Sequence, residues 1–141
     1  MFVAYIDGGS RGNPGPAGFG VRIENPDGTV CAELKGALGV ATNNVAEYRG
    51  LIAALTYFVG ARHCHILIRS DSQLLIRQMT GRYRVRHPNL QPLHREAQTL
   101  LGKLERVDFE HVPRTSNTEA DRLANQAMDE GQVAKNVDRA T

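Results

Sequence analysis

Phe2-Val3-Ala4-Tyr5-Ile6-Asp7-Gly8-Gly9-Ser10 opens the chain with a short apolar run closed by an acid and two glycines. Such a run reads as a buried strand that ends in a turn, with Asp7 at its exit. Gly12-Asn13-Pro14-Gly15-Pro16 then admits only a loop. Residues 18–24 alternate into the turn Asn25-Pro26-Asp27-Gly28, and a third strand is expected over about residues 29–38. Connections this short favour antiparallel pairing, so a three-strand meander is expected at the start.

Beyond the meander the period changes. After Thr42-Asn43-Asn44, a good helix-capping cluster, Tyr48, Leu51, Ile52, Leu55 and Val59 recur at helical spacing up to Gly60. Residues 65–69 form a β-rich run ending at Ser70-Asp71-Ser72, and a second helix is expected from Gln73 to about Met79. Leu90, Leu93, Ala97, Leu100, Leu101 and Leu104 mark a third helix, residues 107–112 a last strand, and Ala120, Leu123, Ala124, Ala127 and Met128 a final helix. Strand, helix, strand, helix implies parallel pairing of the later strands. Residues 131–141 lack periodicity and are expected to form a flexible tail, or the stub of a linker in a longer parent protein, behind a single domain over 1–130.

Composition narrows the class. A chain of 141 residues with 41% hydrophobic and 23% charged residues can bury one core and is not a mainly disordered polymer. The longest apolar stretch, residues 51–59, falls far short of the roughly 20 residues a bilayer crossing needs, so no membrane partner is expected. No basic, apolar leader opens the chain, and a cytoplasmic location is expected. Cys31 and Cys64 make no disulfide framework and are expected to be reduced and buried. The net charge is only +2, yet Arg69, Arg77, Arg82, Arg84, Arg86 and Arg95 fall in a stretch holding one acid, Asp71. That is either a phosphate footprint or an ordinary solvated face.

Four acids fall at element ends. Asp7 and Asp71 leave strands, and Glu47 and Asp121 are expected in the first turns of two helices. Singly, each has an ordinary explanation: acids favour helix N-termini, and Asp beside Gly or Ser is common turn chemistry. Open α/β sheets, however, gather their sites outside the carboxyl ends of their strands.

In order and context, Asp7-Gly8-Gly9-Ser10, Gly12-Asn13-Pro14-Gly15, Thr42-Asn43-Asn44-x-x-Glu47, Ser70-Asp71-Ser72-Gln73 and Asn117-x-x-x-Asp121 together resemble the type 1 ribonuclease H family over about residues 1–130. The resemblance implies an α/β ribonuclease H-like fold: a five-stranded mixed sheet, with an antiparallel meander and two parallel strands, flanked by about four helices. It implies hydrolysis of the RNA strand of an RNA/DNA hybrid, leaving 5′-phosphate and 3′-hydroxyl ends. Asp7, Glu47, Asp71 and Asp121 become the expected catalytic and metal-holding residues, with Asp7 shared between two ions and Asp121 the adjustable member. Four converging carboxylates repel one another unless cations neutralise them, and all-oxygen ligands suit Mg²⁺, or Mn²⁺ in its place. Two such ions about 4 Å apart would flank the scissile phosphate.

The resemblance also assigns substrate contacts. Asn13, Asn43 and Gln73, with backbone from the Gly-rich turn at Gly9 and Ser10, would sense the 2′-hydroxyl that separates RNA from DNA. Thr42 and Asn43, at a helix start, would hold a DNA-strand phosphate or simply cap the helix. Arg84, Arg114 and Asn117 complete the expected set. Two departures from the family pattern stand out. Only Gly81-Arg82-Tyr83-Arg84-Val85-Arg86-His87-Pro88 occupies the place where many members carry an extra basic helix, so weaker hybrid affinity is expected. No histidine lies between Pro113 and Asp121, where members often use one; Arg114 is the expected electrostatic substitute, and His111 is expected to be a packed or surface residue. The rival readings are a catalytically weak hybrid-binding module and a related integrase-like polynucleotidyl transferase. A monomer is the default.

Overall fold

The computed structural model describes residues 1–60 and 65–140, with side chains described through residue 131. Its elements run β1 (Phe2–Ser10), β2 (Gly15–Glu24), β3 (Val30–Ala41), α1 (Asn43–Val59), β4 (Ile66–Ser70), α2 (Gln73–Met79), α3 (Gln91–Leu101), β5 (Val107–His111) and α4 (Thr118–Ala140). One five-stranded sheet has the order β3-β2-β1-β4-β5. The first three strands pair antiparallel, whereas β4 pairs parallel with β1 and with β5, as the helical connections require.

Two helices sandwich this sheet because the strands alternate faces. Phe19 turns toward α1 at Gly50, while a Cβ at Gly20 would lie 2.6 Å from Ala124 N of α4. Tyr48, Leu51, Leu55 and Phe58 of α1 are fully buried against Ile6, Val21, Ile23, Ile66 and Ile68, and α3 closes that core with Leu93 and Ala97. Each large side chain so buried contributes about 1.5–3 kcal/mol, which makes α1 the main organiser of the core. Tyr48 donates to Gln78 Oε1 at 2.6 Å, so its hydroxyl is satisfied inside the core and fastens α1 to α2.

Several expectations change. β1 does not stop before Asp7: it continues through Gly8 and Gly9 to Ser10, paired with β2 as far as Ser10↔Ala17. The two glycines read as a turn, but at Gly8 the missing side chain serves another end. A Cβ there would lie 2.5 Å from Glu47 N, so only glycine lets α1 cross the strand this closely. β3 likewise runs on to Ala41, and α3 is shorter at both ends than its leucine spacing suggests.

Cys31 is exposed, because β3 is an edge strand, and its sulfur sits 3.3 Å from Tyr57 Oη. The expectation for Cys64 lies outside the described residues. α4 passes the expected end near Met128, since a lone Gly131 costs about 1 kcal/mol without breaking a helix. The side chains of the expected tail lie outside the described residues. Among the described residues, no helix is long and apolar enough to cross a membrane.

Candidate functional site

Register places the first two acids. Ile6 of β1 pairs with Ser70, the last residue of β4, so Asp7 and Asp71 follow side by side where the parallel ladder ends. Adjacent strands lie about 4.8 Å apart, within reach of a shared ion. Glu47 descends from α1 just beyond its first turn, not within it as expected, over the space left open at Gly8. Asp121 stands in the first turn of α4, hydrogen-bonded to Asp7. Carboxylate oxygens of Asp7, Glu47 and Asp71 all lie within 4.8 Å of one another, and all four acids line one cleft of about 640 Å³.

The electrostatics follow from that crowding. Burial, then the charge of Asp71, then the hydrogen bond and charge of Asp121 push the Asp7 carboxyl up to about 8, against a partial offset from the Gly8 N–H. Glu47 is pushed well above the usual carboxylate range, by burial first and by Asp7 and Asp71 next. Its Oε2 is buried without a hydrogen-bond partner. A buried acceptor left bare costs about 1–3 kcal/mol, and a cation seated among these oxygens removes that cost. The donor set is all oxygen and anionic, which fits a hard divalent cation among Asp7, Glu47 and Asp71, with Asp121 alongside.

Beside the acids lies a polar cluster. Asn43 Oδ1 accepts from Ser10 N at 2.8 Å and from Ser10 Oγ at 3.2 Å, and Asn43 N donates to Asn13 Oδ1 at 3.1 Å. These bonds fix the loop, whose Asn13–Pro14 peptide is cis, against the start of α1. Thr42 Oγ1 caps the same helix by accepting from Val45 N at 3.3 Å. Gly9, Ser10, Asn43 and Arg114 line the cleft. Gln73 is exposed at the first position of α2, two residues beyond Asp71.

Three expectations are placed elsewhere. Asn117, expected at the substrate, is 1% exposed, and its side chain donates to Ile6 O at 2.8 Å. The segment it closes, expected as a flexible turn, is a 3-10 turn over Arg114–Ser116 leading into α4. Arg84 lines a separate cavity with Tyr83 and Arg95. The basic stretch is divided: Arg69 is taken by Tyr5 Oη at 2.7 Å and Glu110 at 2.8 Å, while Arg77 stacks on Tyr83 at 5.2 Å. Arg69 lies on β4, Arg77 on α2, Arg84 in the segment after α2 and Arg95 on α3, so arginines close in sequence belong to different elements.

His111, expected as a packed or surface residue, is exposed and lines the cleft, and Arg11, which was not among the expected contacts, lines it too. His111 ends β5 opposite Ser70, so its Nε2 donates to Asp71 O at 3.2 Å; its place at the carboxyl end of a parallel strand was the available signal. Arg11 lies in the Gly-rich loop and reaches Asp129 of α4 at 2.6 Å.

This is an α/β fold whose parallel strands end in a cleft of acids suited to divalent cations. A family model described as reverse transcriptase-like matches residues 5–127. The bifunctional protein Rv2228c of Mycobacterium tuberculosis is 54% identical over 128 residues, covering 90% of this chain and 35% of that protein. The crystal structure of RNase H1 from Halobacterium salinarum superposes with a TM-score of 0.87 at 43% identity, covering 92% of this chain and 98% of that one. LC11-RNase H1, solved in complex with RNA/DNA hybrid, gives 0.88 at 37% identity, covering 94% and 99%. The chain belongs to the ribonuclease H family. It spans about a third of the length of the first curated relatives it matches.

Proposed function

We propose that this chain hydrolyses the RNA strand of RNA/DNA hybrids, leaving 5′-phosphate and 3′-hydroxyl ends, with a pair of Mg²⁺ ions that Mn²⁺ can replace. The observation that carries this reading is the convergence of Asp7, Glu47 and Asp71 within 4.8 Å around a buried, unpartnered Glu47 oxygen. When bound, such cations supply Lewis-acid stabilisation of phosphate charge and a more acidic attacking water. The chain's own residues do the rest. Asp7, Glu47, Asp71 and Asp121 hold the cationic charge at the strand ends, and no side chain is needed as a covalent nucleophile.

Arg114, at the cleft rim, offers a permanent positive charge to the phosphate without shuttling a proton. Ser10, Asn13 and Asn43, already tied to one another, present a preorganised polar edge suited to a 2′-hydroxyl. The start of the 17-residue α1 at Thr42 and Asn43 favours a phosphate of the DNA strand. Gln73, exposed beside Asp71, extends the RNA contact, and Arg84 with Arg95 beside exposed Tyr83 meets a more distant phosphate. The hybrid-bound relative at 37% identity supports the substrate class. All four acids come from one chain, so the cleft is complete in a monomer, which is the proposed state, and the proposed location is the cytoplasm.

The test is digestion of matched RNA/DNA, RNA/RNA and DNA/DNA duplexes with and without Mg²⁺, with Asp7→Asn as the blank. Cutting of only the RNA strand of the hybrid, only with the metal and only by the wild type, is expected. Binding of the hybrid without cutting would favour the binding-module reading, and cutting of DNA/DNA the integrase-like one.

A further inference from the structure

Asn117 is buried yet polar, and the cleft chemistry above does not use it. Its Nδ2 donates to Ile6 O at 2.8 Å, the carbonyl of the residue immediately before Asp7 and of the last β1 residue paired with β4. Its backbone carbonyl accepts from Asp121 N at 3.1 Å, one of the first helical hydrogen bonds of α4. Its own N–H donates to Arg114 O at 3.0 Å, closing the 3-10 turn that carries Arg114. One residue therefore ties the strand bearing Asp7, the helix bearing Asp121 and the turn bearing Arg114.

The arrangement has a cost. Asn117 Oδ1 is buried with no hydrogen-bond partner, a penalty of about 1–3 kcal/mol that an apolar residue of similar size would avoid. A residue chosen only to fill space here would not carry that acceptor. The amide donor is what the site gains: it satisfies the Ile6 carbonyl where β4 ends, and it does so from the residue that joins the 3-10 turn to α4.

We propose that Asn117 is a positioning residue that sets Asp121 against Asp7 by clamping the start of α4 to the end of the β1–β4 ladder. This rests on the reading of the acid cleft as the seat of divalent cations. Outer groups that orient metal-holding side chains typically change metal affinity about 10–100-fold when removed, without touching the ion themselves. Asn117 acts on two carboxylates at once, through Ile6 O on one side and Asp121 N on the other.

The test uses the whole chain and compares wild type, Asn117→Ala, Asn117→Ser and Leu93→Ala, the last a core truncation in α3 that lowers stability away from the cleft. Serine keeps a polar group too short to reach Ile6 O, so either Asn117 variant that folds is informative. Mn²⁺ binding is measured by calorimetry without substrate, below the melting temperature of each variant, and hybrid cleavage is resolved into kcat and KM. The expected result is Mn²⁺ affinity lowered about 10-fold and kcat lowered about 10-fold or more in the Asn117 variants, with KM unchanged within about twofold. Leu93→Ala should lower the melting temperature and leave both readouts at wild-type values.

Wild-type Mn²⁺ affinity and kcat in a folded Asn117 variant would overturn the proposal, leaving a structural role only. Equal losses in Leu93→Ala would overturn it too, because they would trace the effect to general destabilisation. A wild type that bound no Mn²⁺ would overturn the cleft reading as well as this one.

Discussion

Replacing Asp7 by asparagine should stabilise this protein in the absence of divalent metal, although it removes the central acid of the cleft. Asp7 is 8% exposed, and its carboxyl is pushed from 3.8 up to about 8 by burial, Asp71 and Asp121. Because the folded value is raised, the contribution to stability is full below the unfolded value and is lost as pH rises toward the folded one. From 3.8 to about pH 7 is roughly three pH units at about 1.4 kcal/mol each, so ionisation in the unfolded state costs the native state about 4 kcal/mol there. Asparagine cannot ionise, so Asp7→Asn escapes that loss.

The assay is urea or thermal unfolding in chelator across pH. The variant and wild type should be nearly equal at about pH 4 and diverge to about 4 kcal/mol at about pH 7, on the order of 10 °C in Tm. Added Mg²⁺ or Mn²⁺ should then raise the wild type more than the variant, since an ion that binds only the folded state stabilises by mass action. An Asp7→Asn protein no more stable than wild type at neutral pH in chelator would refute the reasoning, because it would mean that the four carboxylates are not crowded in solution.

Gly8→Ala should destabilise by about 3 kcal/mol or more in urea unfolding, since its Cβ would press on the α1 backbone at Glu47 N. Arg114→Ala should lose a measurable part of hybrid cleavage while His111→Ala keeps most of it; the reverse ranking in steady-state kinetics would move the role to His111. The short segment between α2 and α3 should give a shallow salt dependence of hybrid affinity, and a slope of log affinity against log salt steeper than roughly −5 would contradict it.

Much of the architecture was legible locally. α2 spans Gln73–Met79 as expected, because Ser72 caps it and Gly81 follows its end, and both signals lie within a few residues of the helix. α1 begins after Thr42 and closes at Gly60 for the same reason. The mixed sheet followed from short connections early in the chain and helical ones later. The tie between the Ser10 and Asn13 loop and Asn43 was suggested only by motif order, since nothing local joins residues 30 or more positions apart.

By itself, the chain's pattern of periods, caps and turn residues determined which elements form and which acids terminate or begin them, since those choices are made by neighbours in sequence. Tertiary structure alone decided that Asp7 lies inside a strand, that Glu47 drops through the opening at Gly8, that His111 reaches the acids and that Asn117 is an interior clamp. The physical reason is that burial and carboxylate proximity arise from strand register and from helices crossing faces, and these are set by contacts between segments far apart along the polypeptide.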